Sequence, residues 1–120
     1  LINKFHIYNL FKNSILVSIT LLLFSCAEKQ EIHISKTIMF EGKLYAMNVE
    51  KPFSGIVYNT YPDGKREYEG EYKDGQPNGL LVYWYKNGNK MREGKLKDGI
   101  PFGRWITYKD DGSVQKTIDH

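Results

Sequence analysis

The chain has 120 residues, enough for one domain, and its 41% hydrophobic, 26% charged and 14% aromatic side chains are an ordinary globular mixture. Lys4 and Lys12 stand in an opening stretch without acids, so from Cys26 onward 15 basic side chains meet 14 acidic ones, a net +1. That is too small for a domain built to neutralise phosphates, and a single cysteine with three histidines excludes an intrachain disulfide and any multi-cysteine zinc or iron–sulfur centre.

The first segment carries Lys4, His6 and Lys12, then the apolar run from Ile15 to Phe24, then Ser25 and Cys26. A basic start, a short apolar centre and a small residue at the cut have the layout of a secretory signal. An α-helix of that run reaches roughly 15 Å, about half of a hydrocarbon core, so a spanning anchor is the weaker reading. Leu1 in place of Met points to an unusual start codon or a clipped sequence. Leu23, Phe24, Ser25 and Cys26 resemble a bacterial lipobox, with Phe24 departing from the usual small middle residue. The resemblance implies that residues 1–25 are a lipoprotein signal peptide and that Cys26 becomes the lipidated N-terminus. The expected location is the bacterial cell envelope, anchored in the outer rather than the inner membrane. The polar run from Ala27 to Lys36 reads as a tether, which makes 26–36 lipidated N-terminus and tether, and 37–120 the folded domain.

The folded part is a repeat. Sliding the chain by 24 aligns Gly55, Gly79 and Gly103, then Gly64, Gly88 and Gly112, then Gly70 with Gly94 and Gly75 with Gly99. A fixed period of this size means stacked supersecondary units. Units fall near 55–78, 79–102 and 103–120. A degenerate leading unit near 37–54 has the letters Glu41-Gly42-Lys43-Leu44, which recur at Glu93-Gly94-Lys95-Leu96. Asp63-Gly64, Asp74-Gly75, Asn87-Gly88, Asp98-Gly99 and Asp111-Gly112 are hairpin signals, because glycine supplies positive φ. Between them, 56–61, 65–72, 80–85, 90–96, 104–108 and 113–118 are rich in Tyr, Trp, Val, Ile and Thr and are predicted strands. A further strand is predicted over 43–49. The fold expected is all-β, an antiparallel meander of hairpin repeats forming one elongated sheet.

Gly70 and Gly94 fall inside predicted strands, where glycine marks close approach by another group. Val57, Leu81 and Trp105 share one repeat position, and Thr60, Trp84 and Tyr108 another, so rings stacked between units are the expected source of stability. Tyr61, Tyr83 and Tyr85 are the candidate exposed contact residues. The run Gly79-Leu80-Leu81-Val82-Tyr83-Trp84, with Asn87-Gly88, Gly94-Lys95-Leu96 and Lys97-Asp98-Gly99, resembles MORN-type repeats, in the bacterial variant of YwqK-like proteins. The resemblance spans about Phe53 to Ile118 and implies the repeat fold while saying little of function. Thr60 in place of an aromatic, and Ile118 in place of the last unit's second glycine, read as features of capping units.

Catalytic constellations are sparse. Glu67, Glu69 and Glu71 alternate and share one strand face, but Met91, Glu93 and Lys95 follow at the matching positions, so the row reads as a solvated surface. Asp63, Asp74, Asp98, Asp110 and Asp111 are explained by turn chemistry, and a calcium loop would need a denser set of oxygens. His33 and His120 have no second ligand nearby, and Ser35, Ser54 and Ser113 have no histidine partner. The sequence thus predicts no enzyme, no catalytic residue, no metal and no cofactor. Lys65, Arg66, Lys86, Lys90, Arg92 and Arg104 are interleaved with acids, which argues against nucleic acid. The leading expectation is a lipid-anchored, non-catalytic binding or scaffold module with a protein partner and a membrane attachment. The alternatives are an antitoxin or immunity protein, and a membrane-surface lipid-binding adaptor.

Overall fold

A computed structural model describes residues 28–120; Leu23, Phe24, Ser25 and Cys26 lie outside the described residues. The strands are β1 (Glu31–His33), β2 (Thr37–Phe40), β3 (Lys43–Ala46), β4 (Gly55–Thr60), β5 (Arg66–Lys73), β6 (Gln76–Trp84), β7 (Lys90–Lys97), β8 (Ile100–Tyr108) and β9 (Val114–Asp119). A seven-stranded sheet has the order β1-β4-β5-β6-β7-β8-β9, and β2 with β3 forms a two-stranded sheet. From β4 to β9 every neighbour is antiparallel and sequential, so the all-β meander is as expected. The six strands of the repeat lie within a few residues of their predicted bounds.

Two turn chemistries alternate along the meander. At Asp74-Gly75 and Asp98-Gly99 both residues have positive φ (49° and 81°, 49° and 79°), the two-residue hairpin turn whose twist suits the flanking strands. At the other ends of the hairpins the Gly64, Gly88 and Gly112 N–H groups donate to the Tyr61, Tyr85 and Lys109 carbonyls at 2.9–3.0 Å. There the side chains of Asp63, Asn87 and Asp111 accept from the N–H two residues on, at 3.0, 2.9 and 2.8 Å. One hairpin signal in the sequence therefore covers two geometries. The register carries the period as well: bulges at Asn59/Thr60, Tyr83/Trp84 and Thr107/Tyr108 are each 24 residues apart.

The N-terminal end departs from expectation in two respects. Glu31–His33, read as tether, is a parallel edge strand on β4, with Ile32 opposite Val57. The cause is legible in the contacts: Ile32 packs on the core, and the Gln30 carbonyl accepts the Ile56 N–H at 2.8 Å. The leading unit does not join the large sheet either, so the single sheet becomes seven strands plus a separate hairpin. Glu41 and Gly42 occupy the β2–β3 turn at φ 47° and 74°, whereas Glu93 and Gly94 sit inside β7. The same four letters thus serve two conformations.

That hairpin closes one end of the sheet. Leu44, Phe53 and Val57 are buried together, with Ala46, Tyr68 and Tyr72 packed around them. The backbone locks the arrangement: Leu44 N–H donates to the Gly75 carbonyl, Phe53 N–H to the Leu44 carbonyl and Gly75 N–H to the Phe53 carbonyl, all within 2.8–2.9 Å. At the other end Trp105 is buried, its ring lying where a side chain on Gly94 would have to go.

Candidate functional site

The candidate contact tyrosines divide. Tyr61 and Tyr85 are themselves 24 apart, and each is half-buried. The Tyr61 hydroxyl donates to the Trp84 carbonyl at 2.6 Å, and the Tyr85 hydroxyl to the Tyr108 carbonyl at 2.9 Å. Each therefore ties one unit to the next, a structural role that the sequence reading placed elsewhere. Burial, then the Glu67 and Asp63 carboxylates, pushes the Tyr61 phenol up. Tyr83 sits opposite Tyr68, with ring centroids 5.1 Å apart. Burial first, then its hydrogen bond with Tyr72, drives the Tyr68 phenol far above the ordinary range.

The strand pairings assign the faces. Paired residues share a face, so Ile56, Glu71, Glu69 and Val82 lie on one side, with Glu93, Lys95, Phe102 and Ile106. Val57, Gly70, Leu81 and Gly94 lie on the other. The acidic row on the first face is engaged residue by residue. Glu71 pairs with Lys29 at 2.6 Å, whereas Glu67 is the extra residue at the Asn59/Thr60 bulge and accepts at 2.8 Å from the amide of Asn59, a residue of the Val57 face, so the bulge takes Glu67 out of the row expected for it. Arg66 pairs with Glu31 at 2.6 Å, approaches Glu69 at 4.0 Å and lies 3.7 Å from the centre of the Tyr58 ring. Its unit-two counterpart Lys90 holds Glu93 at 2.6 Å, and Tyr108 donates to the same carboxylate at 2.6 Å.

These contacts set the titration. The Lys29 hydrogen bond outweighs burial and holds Glu71 below the usual carboxylate range. Burial alone would raise Glu93, but hydrogen bonds from Lys90 and Tyr108 win and hold it below that range too. A general acid at neutral pH requires the opposite shift. Among the described residues no three of His, Cys, Asp and Glu gather as metal ligands, and no helix is long and apolar enough to cross a membrane.

Two apolar surfaces are open. On the β2–β3 hairpin, Ile38, Met39, Phe40, Met47 and Val49 are each about half exposed or more. A depression of about 550 Å³ there is lined by Ile38, Phe40, Tyr45 and Val49. On the large sheet, Leu80 (41% exposed) and Phe102 (44%) flank a groove of about 400 Å³ with Ile106, Lys95 and Arg104. Sequence reasoning missed this second surface, because Leu80, Phe102 and Arg104 share no common letter across units. Gly64, Gly75, Gly88, Gly99 and Gly112 sit at turns, Gly55 starts β4, and Gly70, Gly79, Gly94 and Gly103 lie inside strands, the first three with side-chain atoms close over them and Gly103 with none. Comparison with protein-family models, with curated proteins and with solved structures finds no match to this chain.

Proposed function

We propose that this chain is a MORN-type repeat lipoprotein of the bacterial envelope, a non-catalytic module that presents its repeat sheet to a protein partner. The observation that carries the reading is the contrast on one sheet face. Its acids Glu71 and Glu93 are paired with lysines, whereas Leu80 and Phe102 stand exposed beside a groove. Large apolar side chains in a groove with a polar rim suit an interface better than bulk solvent. Four residues separate Cys26 from β1, so a lipid on that cysteine would hold the sheet edge within about 17 Å of the bilayer, the reach of five extended residue steps. The test is a photo-crosslinking side chain at Leu80 in intact cells, with Lys86 in an exposed turn as control. One protein captured from Leu80 and not from Lys86 supports the module; equal capture from both refutes it.

The β2–β3 hairpin favours a second reading, a membrane-surface adaptor. Its exposed Ile38, Met39 and Phe40 run along β2 between Lys36 at the open end of the hairpin and Lys43 beside the turn, a pattern suited to an anionic lipid surface. Flotation of the unlipidated chain with anionic vesicles tests it. Phe40→Glu should abolish binding, and flotation that survives this change would refute the adaptor reading.

A further inference from the structure

The repeat makes an internal comparison possible at three equivalent glycines, Gly55, Gly79 and Gly103, each followed by a peptide N–H. In the first unit that N–H belongs to Ile56 and donates to the Gln30 carbonyl at 2.8 Å, and the same carbonyl lies over Gly55. In the second unit it belongs to Leu80 and donates to a Glu71 carboxylate oxygen at 3.3 Å, and that carboxylate lies over Gly79. Two different parts of the chain thus place an oxygen acceptor in the same seat. In the third unit the N–H is that of Arg104, and no atom lies within 4 Å of the position a side chain on Gly103 would occupy.

The residues around the third seat have become more basic. Glu71, which fills the second seat, is replaced one period later by Lys95, and Leu80 by Arg104. The ion pairs on this face, Lys29–Glu71, Lys90–Glu93 and Arg104–Asp119, leave Lys95 without an ion-pair partner among the described residues. The Arg104–Asp119 pair is exposed at both ends, so its guanidinium can turn. Glu93 also lines the groove, but its carboxylate is committed to Lys90 and Tyr108. The walls are the apolar side chains of Leu80, Phe102 and Ile106.

We propose that the groove over Gly103 binds a carboxylate side chain of a partner protein, in the seat that the chain's own Glu71 takes over Gly79. This rests on the protein-binding reading and specifies the chemistry of the partner: an acidic residue flanked by apolar ones. The carboxylate would accept from the Arg104 N–H and lie between Lys95 and Arg104, with the flanking side chains on Leu80 and Phe102. Charge-assisted hydrogen bonds of this kind are the strong ones, and apolar walls strengthen them further. The repeat also supplies the blocking variant. Lys95→Glu restores the letter of the preceding unit, so the seat should be filled from within while the fold is kept.

The experiment is a titration of the ¹⁵N-labelled chain, followed through the amide resonances of Gly103 and Arg104. The probes are acetyl-Leu-Glu-Phe-amide and its glutamine counterpart. The glutamate peptide should move both resonances, the glutamine peptide should bind about tenfold more weakly, and added salt should weaken the first more than the second. Lys95→Glu should keep the spectrum of a folded protein and lose the response. Equal binding of the two peptides, no response to either, or an unchanged response in Lys95→Glu would overturn the proposal. Crosslinking from Leu80 is independent of all three outcomes, so a partner captured there with no acid preference would sink this seat and leave the binding module standing.

Discussion

Gly94→Val is the sharpest perturbation of the packing between units. Gly94 lies in β7 without positive φ, so a side chain meets no backbone penalty, and the whole cost comes from collision with the Trp105 ring. Trp105 is 4% exposed, and its indole donates to the Lys95 carbonyl at 3.1 Å and carries Arg92 at 4.7 Å. Two responses are open to the structure. If the ring is expelled, about 150–250 Å² of aromatic surface returns to water, at most roughly 4–6 kcal/mol. If the strands spread instead, overpacking costs about 1–3 kcal/mol, and the indole hydrogen bond adds about 1 kcal/mol when lost. The expected loss is about 3 kcal/mol, a large part of the 5–14 kcal/mol typical of roughly 90 residues. Gly42→Val is the control. At φ 74°, with no atom within 4 Å, it bears only the left-handed backbone cost, about 1–2 kcal/mol. Urea unfolding followed by tryptophan fluorescence and circular dichroism measures both. Equal midpoint shifts at the two glycines would refute the link between the 24-residue lattice and packing.

Tyr85→Phe removes the hydroxyl that ties one unit to the next and should cost about 1 kcal/mol in urea unfolding, as should Tyr61→Phe; unchanged stability in both would return these tyrosines to the list of free contact residues. Glu71 and Glu93 have carboxyls held below their ordinary range, so the stability they confer is complete above the unfolded-state value and is lost as pH falls through the lower folded-state values. Acid unfolding should therefore begin below about pH 4.3, and Glu71→Gln combined with Glu93→Gln should flatten it; an identical acid profile in the double variant would contradict the assignment. Cys26→Ala should release the protein from membranes or leave an uncleaved precursor, and an alkyne fatty acid fed to cells should label the unsubstituted chain alone. Membrane fractionation of that chain without label would favour an uncleaved helix instead.

Strand order and the position of every hairpin from 55 onward were legible because turn glycines and ring positions obey one period. The role of Gly94 was legible for the same reason, since an unneeded glycine inside a strand implies a close neighbour. What escaped lies where a letter has no lattice partner. Ile32 and Ile34 are two isoleucines in an otherwise mostly polar run, too little to announce a strand, and β1 exists because the β4 edge offers it a ladder and a core. The Glu41-Gly42 turn shares its letters with a strand interior, and only tertiary context decides between them. Tyr61 and Tyr85 looked like surface because a hydroxyl reaching a carbonyl 23 residues away leaves no local signature. The groove over Gly103 was hidden by difference, since its residues matter for breaking the repeat.

The two ends of the array answer the same problem by different means. At the position of Gly70 and Gly94 side chains lie across the strand: Tyr68 from the same strand, together with Leu81, over Gly70, and Trp105 over Gly94. β9 is the outermost strand of the described sheet, and there the position holds Ile118, paired with Trp105. His120 adds its ring edge-on, 6.1 Å from Trp105, and its N–H donates to the Gly103 carbonyl at 3.0 Å. At the other end Val57, one period before Leu81, is fully buried by the β2–β3 hairpin instead of by a preceding unit. Lys116 and Asp119 on β9 place charge on the free edge, which discourages pairing with another strand. Ile118→Gly restores the lattice letter, yet it should destabilise the protein by roughly 2 kcal/mol, through lost burial over Trp105 and the entropy of a strand glycine. The loss should appear as faster hydrogen exchange in β9 and an emission shift of Trp105 to longer wavelength. A gain in stability would mean that the lattice demands glycine for the strand itself, and that the end of the array is not a cap.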